Sequence, residues 1–545
     1  MQIDARVLCC TDPVLPKTQV PAPNGVWRLL LPKASPLPQV WSVAALMTGL
    51  LIGSSPCGAQ SELRNLFPFP NESGVLETNN TSGDGRIDFR GPFFQALGTN
   101  GRSCFSCHKP DQGWTISAQG MQRLFDETGG KDPIFNTFDG SNCGTTIDTS
   151  RREGRRKAYS LLLKRGLIRI FLPAPAPLPA AGGAEFEVVS VDNPYGGSDT
   201  VCGDTSTLSI YRRPLPTTNL KFLSAVLWDG RASTPTFAPP LFQKITSATY
   251  PASLQSDLAG LTVAATNIHE QGNITPSDPR VQPIVDFESG LYSAQTIDFW
   301  AGALDSAGAK GGPLPISSTP FYIGINDPFG YPNNPLGCGT GATASPCTPF
   351  TSTIFTLYDA WARGEKSWAD RSRFAPGAER RASIARGEAL FNNTPINITG
   401  VAGINDVLGV ETFAGHCGTC HSAPGVGDHT VSAPLNIGIA DPPPNHALNA
   451  RYLPVFTLRN VNPASPDYGS IIRTTDPGRA LISGAWADIG KFKGPILRGL
   501  ASRAPYFHNG IARSLDEVVD FYNNRFDIGF THEQRADLVA FLSTL

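Results

Sequence analysis

The stretch Cys104-Phe105-Ser106-Cys107-His108 occurs a second time, with the same C-x-x-C-H pattern, as Cys417-Gly418-Thr419-Cys420-His421. Two thiols three positions apart share one helical turn and reach the two vinyl groups of one haem, and the histidine that follows lies under the iron as its ligand. A disulfide, a redox-active dithiol and a zinc half-site are the alternatives for one copy. Two copies favour haem attachment, so the sequence predicts two covalently bound haem c groups.

Length and charge exclude several classes of protein. The chain has 545 residues, with 44 Lys and Arg against 46 Asp and Glu and a formal charge of −2. This balance provides neither a basic surface for nucleic acid nor a strongly acidic tail. The length favours two or three domains, each able to bury a core without disulfide support.

The start of the chain has the order of a secretory signal. Basic residues precede the apolar stretch 43–53, and Cys57-Gly58-Ala59 follows it. We therefore predict that residues 1–59 are a signal segment, cleaved after Ala59, and that the protein is exported to the periplasm. The apolar stretch is shorter than the roughly 20 residues of a membrane-spanning helix, so no stable membrane insertion is expected. An uncleaved anchor and a lipid anchor on Cys57 are the alternatives.

Outside the haem signals and the targeting segment the chain has four cysteines: Cys143, Cys202, Cys338 and Cys347. An even number of cysteines in an oxidising compartment favours disulfides. One pairing joins Cys338 to Cys347 across a small loop and Cys143 to Cys202 across a larger one. The sequence leaves the pairing open, and free thiols are the alternative.

Three short helices are predicted around the haem signals. Residues 93–98 and 384–391 precede the two signals, and Thr531 to Leu545 close the chain. Thr531 and Gln534 have the spacing of a capping box, and an apolar stripe follows them. Strand-like runs are few.

Pro-rich connectors at 173–184 and 311–350 are expected to be loops. A domain boundary is predicted near residue 375, because a second helical unit begins at Arg380.

Three further motifs accompany the haem signals: LWDGRA at 227–232, APYFHNG at 504–510 and SLDEVVDFY at 514–522. With these motifs the chain, from about Asp84 to Leu545, resembles the bacterial di-haem cytochrome c peroxidase superfamily. That superfamily includes the methylamine-utilisation di-haem enzyme and the di-haem rubber oxygenases. The resemblance implies a mainly α fold of two cytochrome c-type haem domains with long loop insertions. The active haem would lie in residues 60–375 and the electron-transfer haem in residues 376–545.

The resemblance assigns Trp228 to the position of a tryptophan that relays electrons between the two haems; a plain core tryptophan is the alternative. The shorter peroxidases close the distal side of the first haem with a histidine soon after the haem signal. Here the next histidine after His108 is His269, so an open distal side is expected. Met121 is a rival ligand, with a buried hydrophobe as the alternative.

His269 matches the segment that supplies the distal pocket in this superfamily. A base there takes a proton from peroxide and returns it to the leaving oxygen. His269 is therefore the predicted catalytic acid/base, and Glu270 is the second candidate for this role. A histidine exposed on the surface is the alternative for His269. The shorter peroxidases use a glutamate and a glutamine here, and Leu261 occupies the glutamine position, which departs from the peroxidase pattern.

Tyr522 matches the sixth ligand of the second haem, as in the methylamine-utilisation enzyme, so His108, His421 and Tyr522 are the predicted iron ligands. A phenolate is a hard anionic donor that favours ferric and higher oxidation states. A packed aromatic residue is the alternative for Tyr522, and His508 is a rival ligand.

The resemblance also implies a calcium ion between the domains. Pro505 matches part of that calcium site and favours the ion. Arg213 replaces an expected asparagine and argues against it. The other histidines have no partner spacing and are expected to be mostly exposed: His416, His429, His446 and His532.

Three functions are open. The first is a periplasmic peroxidase that reduces hydrogen peroxide or another small oxidant at the His108 haem. Its electrons would come from a small periplasmic electron-donor protein through the His421 haem and Trp228. The second is an oxidase or oxygenase that uses high-valent iron on an organic or protein substrate, favoured by Tyr522 and the missing glutamine. The third is an electron-transfer cytochrome without turnover chemistry. The resemblance favours the first.

Overall fold

The computed structural model describes residues 61–143, 147–195, 204–233, 250–328, 350–363, 377–431, 433–443, 448 and 450–545. Packing divides the chain into a unit of Met1–Leu63 and a unit of Arg64–Leu545. Several predictions concern positions outside the described residues: the signal segment 1–59, the boundary between 375 and 376, Cys202, Cys338, Cys347 and His446. The domain limits and the export signal therefore stay predictions.

The α-helices of the described residues are mostly short. In chain order they are α1 Cys104–Cys107, α2 Ala118–Thr128, α3 Arg152–Ala158, α4 Ser160–Arg165, α5 Tyr250–His269, α6 Val281–Ser289, α7 Leu314–Ser318, α8 Asp359–Arg363, α9 Ala378–Asn393, α10 Asn405–Leu408, α11 Cys417–Cys420, α12 Ala480–Ser483, α13 Leu515–Arg525 and α14 His532–Leu542.

Strands are spread along the described chain. They are β1 Glu62–Arg64, β2 Phe69–Pro70, β3 Gly74–Asn80, β4 Arg86–Asp88, β5 Ile168–Pro173, β6 Phe186–Asp192, β7 Thr207–Arg212, β8 Leu291–Asp298, β9 Gly302–Ala303, β10 Ile396–Thr399, β11 Thr412–Gly415, β12 Val455–Asn460 and β13 Ile471–Thr474. A four-stranded sheet has the order β2-β3-β8-β9, and a three-stranded sheet has the order β13-β12-β6. The pairs β5-β7 and β10-β11 form two-stranded sheets.

The predicted mainly α fold of two cytochrome c-type haem domains is wrong. Helices hold 32% and strands 18% of the described residues, and the strands form several small sheets. The strands β3 and β8 pair antiparallel, with Thr78 opposite Ser293. These two hydroxyl oxygens are 2.8 Å apart and buried. Polar side chains that bond to each other inside a sheet remove the apolar alternation by which a strand is recognised in a sequence.

Two of the three predicted helices are present, and the third is only a short turn. Residues 384–391 lie inside α9, as expected. The closing helix is confirmed as α14, because Thr531 Oγ1 accepts from the Gln534 N–H and Gln534 Oε1 accepts from the Thr531 N–H. The predicted helix at 93–98 is only a 3-10 turn, Pro92–Phe94, since Gln95 is already extended.

The helices α9 and α14 pack closely against each other in a core beside the second haem signal. A Cβ at Gly387 of α9 would lie 2.0 Å from the Asp537 carbonyl oxygen of α14. Glycine at this position therefore permits the close approach of the two helices. Phe391 and Phe541 meet there with ring centres 5.9 Å apart.

Candidate functional site

Each pair of haem-signal cysteines lies on a single helical turn, α1 or α11, as predicted. Neither pair forms a disulfide. Burial raises the pKa of Cys107 to about 11 and the pKa of Cys417 and Cys420 to about 12. A redox dithiol requires an accessible thiolate, so this environment disfavours that alternative.

The two signal histidines have the same hydrogen bond. The Nδ1 atom of His108 lies 2.9 Å from the Trp114 carbonyl oxygen, and that of His421 lies 2.7 Å from the Gly427 carbonyl oxygen. A carbonyl only accepts, so Nδ1 carries the proton and Nε2 carries the lone pair. Burial also lowers the pKa of both imidazoles, which keeps them neutral. This is the arrangement of an imidazole that ligates a metal through Nε2.

The first signal opens onto a cavity of about 670 Å³, called here the N-terminal cavity. Its lining includes Cys104, Cys107 and His108, with His269 at the end of α5 and Glu270 directly after it. The second signal opens onto a cavity of about 210 Å³, called here the C-terminal cavity. Its lining includes Cys417, Cys420, His421, His508 and Tyr522. Each signal therefore shares a cavity with its predicted partner residues.

Trp228 is buried and lines both cavities. Its indole Nε1 donates to the Arg213 carbonyl oxygen at 2.8 Å. The ring centre of His508 lies 6.2 Å away, and His508 stacks on Phe492 at 3.8 Å. Trp228 therefore has the position that a relay between the cavities requires.

Buried cations lie where the cavities meet. Arg213 and Lys493 line both cavities, and Arg503 lines the C-terminal one. The Arg213 guanidinium donates to the carbonyl oxygens of Arg165, Ile116 and Arg503. Among the described residues the Nε atom of Arg503 has no hydrogen-bond partner.

Burial lowers the pKa of Arg213, Lys493 and Arg503, because desolvation disfavours their charged forms. An anion in the cavities would offset that cost. The carboxylate groups of a bound haem meet this requirement, so these cations fit the proposed cofactor.

His269 lies on the wall of the N-terminal cavity in a network of buried charge. Its Nδ1 atom is 2.7 Å from Asp139 Oδ2, and Arg102 Nη1 is 2.5 Å from Asp139 Oδ1. Arg102 and Asp139 are buried, whereas 33% of the His269 side chain is exposed. His269 therefore lies on the cavity wall with a carboxylate partner, and its predicted role as acid/base stays a prediction.

Glu270 also lines this cavity, but its carboxylate binds the polypeptide. Its Oε2 atom accepts from the Leu97 N–H at 2.9 Å, and its Oε1 atom lies 3.9 Å from Cys104 Sγ. Burial raises the pKa of Glu270 to about 7. Met121 is fully buried among the apolar side chains around α2, which matches the buried-hydrophobe alternative.

Tyr522 reaches the C-terminal cavity from α13. Its ring centre lies 6.5 Å from that of His421, with the planes at 76°. Burial raises the pKa of the phenol. Tyr522 is thus near enough to His421 to act at the same metal, and it also packs against Phe507 and Phe526.

The residues after Trp228 belong to a buried charge network. Asp229 Oδ2 lies 2.6 Å from Arg231 Nη1 and 2.5 Å from Arg212 Nη1. Arg212 also pairs with Asp476 at 2.7 Å. This buried network fixes the segment that carries Trp228.

Some cavity residues have no signal in the sequence. Asp139 and Arg102 meet His269 across long sequence separations, so no local spacing reveals them. His429 was expected to be exposed but is buried on the wall of the C-terminal cavity. Burial lowers its pKa to about 4, so it is neutral there.

Calcium stays a prediction. Within the described ranges, no group of three or more His, Cys, Asp or Glu side chains is placed to hold a metal ion. Arg213 directs its own positive charge to three carbonyl oxygens at the position where the resemblance implies an asparagine.

Comparison with curated proteins finds relatives named cytochrome-c peroxidase. IdrP2 of Denitromonas iodatirespirans is 33% identical over 149 residues, which are 25% of this chain and 38% of the relative. IdrP1 of Pseudomonas sp. (strain SCT) is 28% identical over 204 residues, 34% of this chain and 43% of the relative. The chain thus spans less than half the length of the curated relatives it matches. Their names support the resemblance to di-haem peroxidases at low identity.

No family model matches the chain. A solved MauG-like protein associated with microbial copper homeostasis is 18% identical, covering 64% of this chain and 78% of its own, with a TM-score of 0.26. A TM-score this low does not establish a shared fold. None of the helices in the described part of the chain is both long and apolar enough to cross a membrane.

Proposed function

We propose that this protein is an exported di-haem c-type cytochrome that reduces hydrogen peroxide in the N-terminal cavity. Electrons would enter through the C-terminal cavity and pass by Trp228. One observation carries the proposal: His269 lines the same cavity as Cys104, Cys107 and His108. An acid/base group and a haem-attachment signal on one cavity are the two requirements for breaking the O–O bond of peroxide.

The chemistry divides between the cofactor and the chain. A bound haem would supply electrons to the O–O bond. The imidazole of His269 would take a proton from hydrogen peroxide at Nε2 and return it to the leaving oxygen. Two electrons and two further protons complete the reduction of one peroxide to two waters.

The route for electrons rests on Trp228. It lines both cavities, and its N–H is held by the Arg213 carbonyl oxygen. An aromatic ring fixed at this point shortens each electron-transfer step between the two cofactors. The electrons would come from a small electron-donor protein. The proposed export of the protein would place that donor in the periplasm.

The second candidate is an oxidase or oxygenase that acts on an organic or protein substrate. It is favoured by Tyr522, which shares the C-terminal cavity with His421. A phenolate ligand would make that haem a poor acceptor from a high-potential donor.

The test is stopped-flow oxidation of a reduced small cytochrome by the haem-loaded protein and hydrogen peroxide. We expect peroxide-dependent oxidation of the donor. His269→Gln should slow it by roughly 10²- to 10⁴-fold, the usual contribution of a positioned acid/base group. His532→Gln is the matched control, since His532 is exposed at the start of α14.

No oxidation of the donor by peroxide in the wild-type protein would contradict the proposal. Peroxide-dependent oxidation of an organic substrate without any donor would favour the second candidate.

A further inference from the structure

We propose that Asp139 is the positioning residue for His269 and that Arg102 fixes Asp139. The base in the N-terminal cavity would then be a carboxylate–imidazole pair anchored to the segment just before the first haem signal. The proposal rests on the proposed function for the haem in this cavity and for the identity of the substrate.

The first step is the geometry of the pair. His269 Nδ1 lies 2.7 Å from Asp139 Oδ2. An ionised carboxylate only accepts hydrogen bonds, so Nδ1 carries the proton. The lone pair of the neutral ring is then on Nε2, the atom not bound to Asp139. Asp139 thereby selects the tautomer that is able to receive a proton from a ligand in the cavity.

The second step is the charge of Asp139. The side chain is 1% exposed, and Arg102 Nη1 lies 2.5 Å from its Oδ1 atom. Burial alone raises the pKa of Asp139, but the hydrogen bond of His269 and the charge of Arg102 bring it below its ordinary value. The carboxylate is therefore ionised at neutral pH and stabilises an imidazolium once His269 has taken a proton.

The third step is the position of Arg102. Its Nε atom donates to the Pro133 carbonyl oxygen at 2.9 Å and its Nη2 atom to that of Ile134 at 2.7 Å. Arg102 Nη1 also donates to the His269 carbonyl oxygen at 3.2 Å, and Asn100 Nδ2 donates to the same oxygen at 2.9 Å. The side chain and the main chain of His269 are thus both tied to residues 100–102, immediately before Cys104.

The segment of Asp139 is held from its other side as well. The Arg169 N–H donates to the Asp139 carbonyl oxygen at 2.7 Å. The Arg169 side chain donates to the Sγ atom of Cys143 at 2.8 Å, and Cys143 forms a disulfide. Asp139 therefore has little freedom to follow His269 if the ring moves.

The proton step balances without another reactant. The bond from a proton to a peroxide oxygen breaks, the bond from that proton to His269 Nε2 forms, and Asp139 stays ionised throughout. The same transfer occurs when hydrogen cyanide binds as cyanide. Carbon monoxide binds without any proton transfer, so the two ligands separate proton handling from access to the cavity.

The experiment compares ligand association with the N-terminal haem of the intact, haem-loaded protein. Cyanide is mixed with the ferric protein and carbon monoxide with the ferrous protein, at neutral pH, with peroxide as a third ligand. Asp139→Asn should slow cyanide and peroxide association by about ten- to a hundredfold and leave carbon monoxide association within about threefold. Asp126→Asn is the matched control, since Asp126 on α2 pairs only with exposed arginines.

A double-variant cycle tests whether Asp139 acts through His269. In the His269→Gln background, Asp139→Asn should slow cyanide association by less than about twofold further. A wild-type rate of cyanide association in Asp139→Asn would overturn the proposal. So would an equal slowing of cyanide association by Asp139→Asn in the wild-type and the His269→Gln backgrounds. An equal slowing of carbon monoxide association would also overturn it, because it would show a merely structural role.

Removal of one buried charge can prevent folding, so a second variant is needed. Arg102→Gln with Asp139→Asn removes both charges of the pair together, and the same cyanide-specific slowing is expected. Cyanide association does not depend on peroxide turnover. A protein that fails to reduce peroxide but shows the cyanide effect would reject the proposed function and keep this inference.

Discussion

The N-terminal cavity is lined by its haem-signal histidine and a buried charge network. The C-terminal cavity is lined by its haem-signal histidine and mainly by aromatic side chains. His269 and Asp139 belong to the first cavity, and Tyr522 and Phe507 to the second. The signal halves of the two sites are the same in helix and in hydrogen bond. The difference indicates that residues from other parts of the chain, and not the attachment signal, determine the chemistry of each cavity.

The largest expected effect comes from removing one attachment signal at a time. Cys104→Ser with Cys107→Ser should abolish peroxide reduction and leave the C-terminal haem attached. Cys417→Ser with Cys420→Ser should leave the reaction of peroxide with the protein but abolish oxidation of the donor. Intact-mass measurement and the visible spectrum of each variant report how many haems are attached. Loss of both haems from either variant would show that the two sites are not independent.

The segment that both cavities share should be the next most sensitive. Asp229→Ala removes the buried partner of Arg231 and one of the two buried carboxylates that pair with Arg212, and it should lower the free energy of unfolding by about 3 kcal/mol. Denaturant unfolding followed at both haem bands measures the change, and both cavities should loosen together. Asp88→Ala is the matched control, because Asp88 pairs with Arg90 at the same spacing on the surface and should cost no more than about 1 kcal/mol.

The effect of Asp229 should also depend on pH. Burial raises its pKa, but the charges of Arg212 and Arg231 outweigh burial and lower it from 3.8 to about 2. A lowered folded-state pKa contributes stability above pH 3.8 that is lost as the pH falls through about 2. The difference between wild type and Asp229→Ala should therefore shrink over that range. A constant difference would contradict an electrostatic origin.

Tyr522→Phe tests whether Tyr522 is an iron ligand in the C-terminal cavity. Loss of an anionic phenolate ligand should raise the reduction potential of that haem by about 0.1 V, a part of the roughly 0.8 V range that axial ligands control. Redox titration with electron paramagnetic resonance measures the shift, and the N-terminal signal should not change. Tyr468→Phe is the control, since Tyr468 is 63% exposed. An unchanged potential would leave Tyr522 as a packed aromatic residue.

Trp228→Phe should have the smallest effect, because it should change only the rate of electron transfer between the two cavities. Electron transfer between the haems should slow by about tenfold, which corresponds to about 1.4 kcal/mol of barrier. The reaction of peroxide at the N-terminal haem should keep its wild-type rate. Pulse-radiolysis or flash reduction measures the exchange, with Trp300→Phe as an exposed control. Equal slowing in both variants would exclude a relay through Trp228.

The attachment signals, the single-turn helices and the closing helix were predictable because they depend on short sequence spacing. The strands were not, since buried polar pairs such as Thr78 with Ser293 hide the alternation of β3 and β8. The mainly α expectation came from the resemblance, and no strand pattern in the sequence was clear enough to correct it.

The candidate site was predictable only where the sequence resemblance supplied a position. Trp228, His269 and Tyr522 do reach the two cavities. The partner of His269 was not predictable, because Asp139 comes from a loop far away in sequence and only the fold places it there.

The hydrogen bond of each signal histidine to a carbonyl a few residues later has a consequence for modularity. Residues 104–114 and 417–427 each contain both thiols, the imidazole and its acceptor, so each is a self-sufficient cassette. A carbonyl cannot take the proton from Nδ1, so both cassettes present an imidazole with its lone pair on Nε2. Exchanging one cassette for the other should therefore leave the properties of each site with its cavity.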